Sequence, residues 1–387
     1  MRWAAAFASA TACFSPELKD GVIPCGEAGC PDGMECAADG YCYRDPPSGG
    51  VGADAGSGGD DAAYALAVGN RGSASRLYAL PCGELLWSSP QARATTALAW
   101  GDADGDGVAE LAIAGDGEPL ELYVLDGGQL APLWQSAAAL VVSEIAWGDD
   151  GDLAVGHTGA RMEIYQLTGG SLQVRWTSPW DDDVSAVAWA DYDRDGDLDI
   201  AQSELADDSV IFAIGEAELD PVWHSETVDP TESLAFADID GDGDPDLAIG
   251  NDGQPNRLYR NDAGNLVAVW SAPDAAATRA VAWADIDGDG DPDLAVGNHG
   301  QPSRLYRNDG GSFALAWTAP QADPTTALAW ADVDGDGDPD LAVGNDGAPV
   351  RLYINDGAGA LRLDWSAPVA EHTTSVAFAR WPAALCR

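Results

Sequence analysis

The sequence predicts an all-β protein whose main body is a seven-bladed β-propeller of four-stranded blades. Two observations carry that expectation: a motif that returns every 47 residues, and two aromatic series that count the repeats. The segment VAWADIDGDGDPDLAV at 281–296 recurs as LAWADVDGDGDPDLAV at 328–343 and as LAFADIDGDGDPDLAI at 234–249. Each repeat holds short apolar runs, such as Arg279 to Ala284, Asp293 to Gly297, Ser303 to Arg307 and Phe313 to Trp317. Gly, Asn, Asp and Pro clusters separate the runs, as expected of short antiparallel strands joined by turns. Four strands in a repeat of this length is the size of a propeller blade. The Asn-x-Gly segments at Asn251–Gly253, Asn298–Gly300 and Asn345–Gly347 are expected to supply turn residues that tolerate positive φ.

The aromatics give the count. One series runs Trp87, Trp134, Trp176, Trp223, Trp270, Trp317 and Trp365; a second follows thirteen residues later at Trp100, Trp147, Trp189, Phe236, Trp283, Trp330 and Phe378, giving seven repeats. A stripe this regular is read as core packing. Residues 64–90 supply the last strands of a blade, and Ser375 to Arg380 a lone first strand, so the two ends of the chain are expected to complete one blade. Closing the ring in this way removes exposed sheet edges. Cys82 and Cys386 fall on one face of that blade and are expected to form a bridge across the closure.

Ahead of the propeller, expected over residues 62–387, the chain reads as three further segments. Residues 1–12 resemble an export signal, and the small residues before Cys13 resemble a bacterial lipoprotein cleavage site, making Cys13 a candidate lipid anchor. Residues 13–45 form a Cys-rich module, and the Gly-, Ser- and Asp-rich residues 46–61 a flexible linker. The chain has seven cysteines, so lipidation of Cys13 would leave six to pair, which suits an oxidising compartment. The spacings of Cys25, Cys30, Cys36 and Cys42 lack the C-x₂-C pairs of zinc sites, which favours disulfides there. No apolar run reaches the roughly 18 residues of a membrane-spanning helix. The net charge of −47 sets the surface against nucleic acid.

Between the first and second strands of five repeats lies a loop with carboxylates at alternate positions. These are Asp102, Asp104, Asp106 and Glu110; Asp191, Asp193, Asp195 and Asp199; Asp238, Asp240, Asp242 and Asp246; Asp285, Asp287, Asp289 and Asp293; and Asp332, Asp334, Asp336 and Asp340. Such crowding of negative charge is unfavourable unless a hard divalent cation takes the oxygens, and calcium fits best. Gly243, Gly290 and Gly337 stand sixth, where an EF-hand loop also turns sharply, but the twelfth position is Ile249, Val296 or Val343 instead of a bidentate Glu. In the second repeat the segment Trp147 to Asp152 is five residues short, and in the last the chain ends interrupt the loop, so about five ions are expected rather than seven.

On these motifs the chain, over roughly residues 62–387, resembles FG-GAP repeat proteins, together with VCBS repeats of bacterial surface proteins and the integrin α-subunit propeller. The resemblance implies an exported calcium-binding propeller at the cell surface or secreted, acting as a binding or adhesion module for a protein or carbohydrate partner of unknown identity. It places partners on the face opposite the calcium loops, where Trp180 is a candidate contact residue. The series Arg76, Arg257, Arg304 and Arg351 recurs in register and is read as bracing acidic neighbours. No enzyme is expected: no G-x-S-x-G, H-E-x-x-H or glycine-rich phosphate loop occurs, and the four histidines do not recur. A lectin-like carbohydrate binder is the sharper alternative, and a polysaccharide-acting enzyme a weaker one.

Overall fold

The computed structural model describes residues 63–381, apart from 127–128, 149–150, 206, 216–218 and 358, together with three short strands nearer the start. The expected signal, Cys13, the linker, Cys386 and most of the Cys-rich module lie outside the described residues. The chain divides into a unit at Phe14–Asp60 and a larger one containing Asp61–Arg387. In the smaller unit the strands Ile23–Pro24, Tyr41–Tyr43 and Glu35–Cys36 pair antiparallel in that order, with Cys36 opposite Cys42.

The larger unit is all-β among its described residues. Strands Ala276–Ala284, Asp293–Asn298, Arg304–Asn308 and Phe313–Thr318 pair antiparallel in chain order. The same order repeats in groups whose first strands begin at Arg93, Leu140, Asp182, Thr231 and Thr325. A further group joins the two ends of the unit. Its first strand is Glu371–Trp381, which pairs antiparallel with Ala63–Ser73 through Val376–Val68 and Phe378–Leu66, followed by Arg76–Leu80 and Glu84–Ser88. First strands of successive groups touch in an unbroken cycle, with Glu371–Trp381 against Arg93–Gly101. Curled antiparallel sheets joined in this way form a β-propeller-like fold.

Burial explains the strand sequences. The second strand Asp293–Asn298 is buried at every position and reads as a continuous small and branched apolar run, because sheets cover both its faces. The fourth strand Phe313–Thr318 is largely exposed, with only Phe313 and Trp317 half-buried. Close stacking requires glycine: a Cβ on Gly297 would lie 2.8 Å from Thr325 Cγ2 of the next group, and the same approach recurs between Gly250 and Thr278 at 3.0 Å. The two aromatic series weld neighbouring groups. Trp223, Trp270 and Trp317 stand edge-on to Tyr259, Tyr306 and Tyr353 of the following group. Trp147, Trp189 and Trp283 donate their indole N–H to Ala99, Ala146 and Ala235 carbonyls of the preceding one.

The first strands are also linked by a register of hydroxyls. Thr96, Ser185, Thr326 and Thr374 donate to the carbonyls of Val142, Thr231, Thr373 and Thr95, each in the next group. In two successive groups that register holds Glu232 and Arg279 instead, which form an ion pair.

The Asn-x-Gly segments take positive φ as expected, at Gly253, Gly300 and Gly347, while Asn251, Asn298 and Asn345 do not. The asparagines are buried, where Asn251 accepts from Thr231 Oγ1 at 3.0 Å and donates to the Pro255 carbonyl at 2.8 Å. Asn298 and Asn345 repeat both bonds, so the side chain satisfies backbone that a short chain reversal would leave unpaired.

Candidate metal centres

Each acidic loop is a turn organised by its own carboxylates. In the loop at 238–246, Asp238 accepts the backbone N–H groups of Gly241, Asp242 and Gly243, at 2.8, 3.1 and 2.8 Å. The loops beginning at Asp102, Asp285 and Asp332 repeat all three bonds, and Asp191 accepts from Gly196. The sixth-position glycines hold φ of 87, 94 and 97° at Gly243, Gly290 and Gly337, a conformation other residues adopt only at a cost.

The structure brings the predicted side chains together in two patterns. Oxygens of Asp102, Asp104 and Glu110, of Asp191, Asp193 and Asp199, and of Asp238, Asp240 and Asp246 each converge within 4.8 Å. In the other two loops the converging sets are Asp285, Asp287 and Asp289, and Asp332, Asp334 and Asp336. Asp106, Asp195 and Asp242 stand outside these sets, each accepting the N–H two residues ahead. Asp293 and Asp340 also stand outside, buried beneath their loops.

The ninth residue of each loop is a buried carboxylate held by peptide N–H groups. Asp246 accepts from Ile239 at 2.8 Å and from Asn261 at 2.6 Å. Asp293 accepts from Ile286 and Asn308, Asp340 from Val333 and Asn355, and Asp199 from Tyr192 and Ile214. Glu110 accepts from Ala103 at 2.9 Å. Burial pushes Asp199, Asp246 and Asp293 up to about 6, and Asp340 and Glu110 up to about 7; the loop carboxylates push the same way, and the N–H bonds oppose them. Ionising these groups therefore costs more than ionising a solvated carboxyl, and positive charge arriving in the loop would lower that cost.

The donor set fits a hard cation. It is all carboxylate oxygen, the chemistry of calcium and magnesium sites. Two of its oxygens, Asp191 Oδ1 and Asp287 Oδ1, are buried without a hydrogen-bond partner. An unpartnered buried carboxylate oxygen is costly in a folded chain, and a cation ligated there would remove the cost.

Two features escaped the sequence reading. Asn261, Asn308 and Asn355 stand fifteen residues after Asp246, Asp293 and Asp340; their recurrence at the 47-residue period was the available signal. In the shortened second loop the buried position is kept by Asp152, whose Oδ2 receives Arg175 Nη1 at 2.9 Å. The arginines read as braces do pair with carboxylates: Arg76 with Glu371, Arg257 with Asp229, Arg304 with Asp274 and Arg351 with Asp323. Trp180 is 37% exposed, its ring packed on Phe212.

The FG-GAP-like repeat family matches the chain at residues 238–296, 285–343 and 332–381. Three FG-GAP-like repeats are thus present, which supports an FG-GAP/VCBS repeat protein. No curated protein matches the chain in sequence. Among solved structures, the chain is similar to Sqt1 of Saccharomyces cerevisiae, with a TM-score of 0.57 and 15% identity over 78% of this chain and 82% of that one. It is also similar to a Bacteroides fragilis protein assigned as a 6-phosphogluconolactonase, with a TM-score of 0.62 and 15% identity over 84% of this chain and 99% of that one. At this identity the likeness concerns the fold alone.

Proposed function

We propose that these FG-GAP-like repeats build a closed seven-bladed β-propeller that binds about five calcium ions, and that the protein is exported to serve as a binding or adhesion module, not an enzyme. The observation that carries the calcium reading is the recurrence, in five loops, of converging carboxylates together with a buried ninth one, which joins the converging set in three loops and lies beneath it in two. The residues that would hold the ions are the converging sets, with Asp293 and Asp340 beneath theirs. A bound calcium ion supplies positive charge in a loop otherwise crowded with negative charge. The chain's own part is to fix the loop's ends: Asp238 and its counterparts gather the turn, and Asp246 and its counterparts anchor it to the third strand.

Export accords with calcium loops of extracellular type, which bind at roughly 10⁻⁴ to 10⁻³ M and stay filled where calcium is abundant. Cys82 held as a disulfide supports the same reading, with Cys386 the proposed partner. Among the described residues no helix is long and apolar enough to cross a membrane, so attachment to a surface would fall to a lipid on Cys13. Partner binding is placed on the face away from the calcium loops, with Trp180 as a contact.

Native mass spectrometry of the exported chain, titrated with calcium, tests the reading. About five ions, bound in millimolar calcium and lost in chelator, are expected from the five loops. A chain that retains none would refute the calcium reading. Binding to a glycan array through equivalent pockets between blades would turn the module into the lectin-like alternative.

A further inference from the structure

We infer that the four consecutive loops at 191–199, 238–246, 285–293 and 332–340 bind their ions cooperatively through a relay of buried asparagines, whereas the loop at 102–110 binds on its own. The inference rests on the calcium reading above and goes beyond it, from the presence of sites to their linkage.

The relay is a continuous run of hydrogen bonds from loop to loop. Asn308 donates its backbone N–H to Asp293 Oδ1 of its own repeat at 2.7 Å. Its side-chain Nδ2 reaches into the preceding repeat and donates to the Ile239 carbonyl at 2.8 Å. Ile239 lies between the candidate ligands Asp238 and Asp240, and its own N–H donates to Asp246 Oδ2. Asp246 in turn accepts from Asn261, whose Nδ2 donates at 2.8 Å to the carbonyl of Tyr192, in the loop before. In the other direction Asn355 donates its N–H to Asp340 and its Nδ2 to the Ile286 carbonyl at 2.7 Å. All three asparagines are fully buried. Their side-chain carbonyls are also used, as Asn261 and Asn308 accept from Gly264 and Gly311 in the third-to-fourth strand turn. An amide fixed at both ends has no slack to absorb a shift.

Each asparagine therefore ties the anchor carboxylate of one loop to the peptide between two ligands of its neighbour. An ion that orders one loop restricts the conformations of the adjacent loop, so the next ion has less ordering left to do. By linkage the effect is reciprocal between neighbours.

The relay has defined ends. Fifteen residues after Asp199 stands Ile214, which keeps the backbone bond to Asp199 but has no amide to send onward. Leu125 and Leu167 occupy the same position in the first two repeats, and Leu80 in the closing group. The loop at 102–110 consequently has no asparagine connecting it to a neighbour, and the shortened loop at 148–152 separates it from the array.

The test is a calcium titration of the full chain followed by native mass spectrometry and calorimetry, on wild type and on Asn308→Leu, the residue nature places in the unlinked repeats. In wild type, partly filled arrays should be scarce, and a site beside an occupied one should bind about 5- to 150-fold more tightly than the first. Asn308→Leu should keep the same number of ions but divide the array into two pairs, with the Hill coefficient falling while intrinsic affinity is held. A purely structural role would lower affinity or melting temperature and leave the cooperativity intact. If wild type fills with independent, equal affinities, the relay is wrong although the calcium reading stands. If it binds no calcium, both are wrong. The wild-type distribution decides even if the variant fails to fold, and Asn261→Leu cuts the array one junction away, leaving the loop at 191–199 alone and the other three linked.

Discussion

The second repeat and its neighbours solve one electrostatic problem in two ways. At the start of the second strand all of them bury a carboxylate: Asp152 in the second repeat, and Asp199, Asp246, Asp293 and Asp340 in the four that follow. In the second repeat the loop above is cut short, and the fourth strand sends Arg175 to Asp152, with the guanidinium stacked 3.7 Å from the Trp176 ring centroid. In the four later repeats no arginine reaches the corresponding carboxylate through an ion pair among the described residues. Two further rows of carboxylates gather above it instead. The difference teaches that the buried acid belongs to the repeat's architecture, and that, on the proposed calcium reading, the long loop would bring a cation from solution to where one repeat has a cation of its own.

The comparison is broken most forcefully by removing calcium. At a hundredfold excess of ion over its dissociation constant, each filled site adds about 2.7 kcal/mol to stability. Thermal unfolding in chelator should therefore fall by at least about 10 °C from its value at that calcium concentration, given several such sites. Equal melting curves in both conditions would leave the loops as solvated turns.

Next in size is Asp340→Ala, which orphans the N–H groups of Val333 and Asn355 as well as removing the anchor. About 2–4 kcal/mol of stability should be lost in calcium, measured by denaturant unfolding, together with one ion by native mass spectrometry. Arg175→Leu is the counterpart in the second repeat. Removal of the guanidinium from the buried Asp152 should cost about 1–3 kcal/mol, equally with and without calcium, since the shortened loop lacks the full carboxylate row of the others. A rescue by calcium would show that the short loop binds after all.

The smallest effect concerns the third repeat, where Glu204 stands at the position of the buried Asn251, Asn298 and Asn345. Burial, with Asp182 beside it, pushes Glu204 up to about 7. A carboxyl with a folded pKa above its unfolded value holds extra protons in the fold, so its contribution is present at low pH and is lost as pH rises from about 4.5 to 7. Glu204→Gln should flatten that part of the stability profile, and an unchanged slope would assign it to other groups.

How much of this was legible depends on whether an interaction stays inside one repeat. The strands around Asp293 and the loop from Asp285 were readable because the residues that make them are close in sequence and return every 47 positions. Pairing of Glu371–Trp381 with Ala63–Ser73 was readable too, since each end supplied the strands the other lacked. What failed was contact between repeats. Asn308 and Ile239 lie 69 residues apart, and only the stacking of adjacent sheets brings the amide to that carbonyl. For the same reason the hydroxyls of Thr96 and Thr326, which join neighbouring first strands, read as ordinary strand residues. The burial of Asn298 is not legible either: its Asn-x-Gly setting signals the positive φ that Gly300 adopts, but the register puts the asparagine side chain inside, against Thr278. Arg175 gives no signal because it pairs across two hairpins with an acid whose loop is too short to match the repeated carboxylate pattern.

On the proposed reading, calcium does in the long loops what Arg175 does in the short one. Hydrogen–deuterium exchange followed peptide by peptide, with calcium and with chelator, tests it most directly. Backbone amides of 102–110, 191–199, 238–246, 285–293 and 332–340 should gain strong protection in calcium, while those around Asp152 should exchange at the same rate in both conditions. Calcium-dependent protection spread evenly over all the repeats, the second included, or found in none of them, would contradict it.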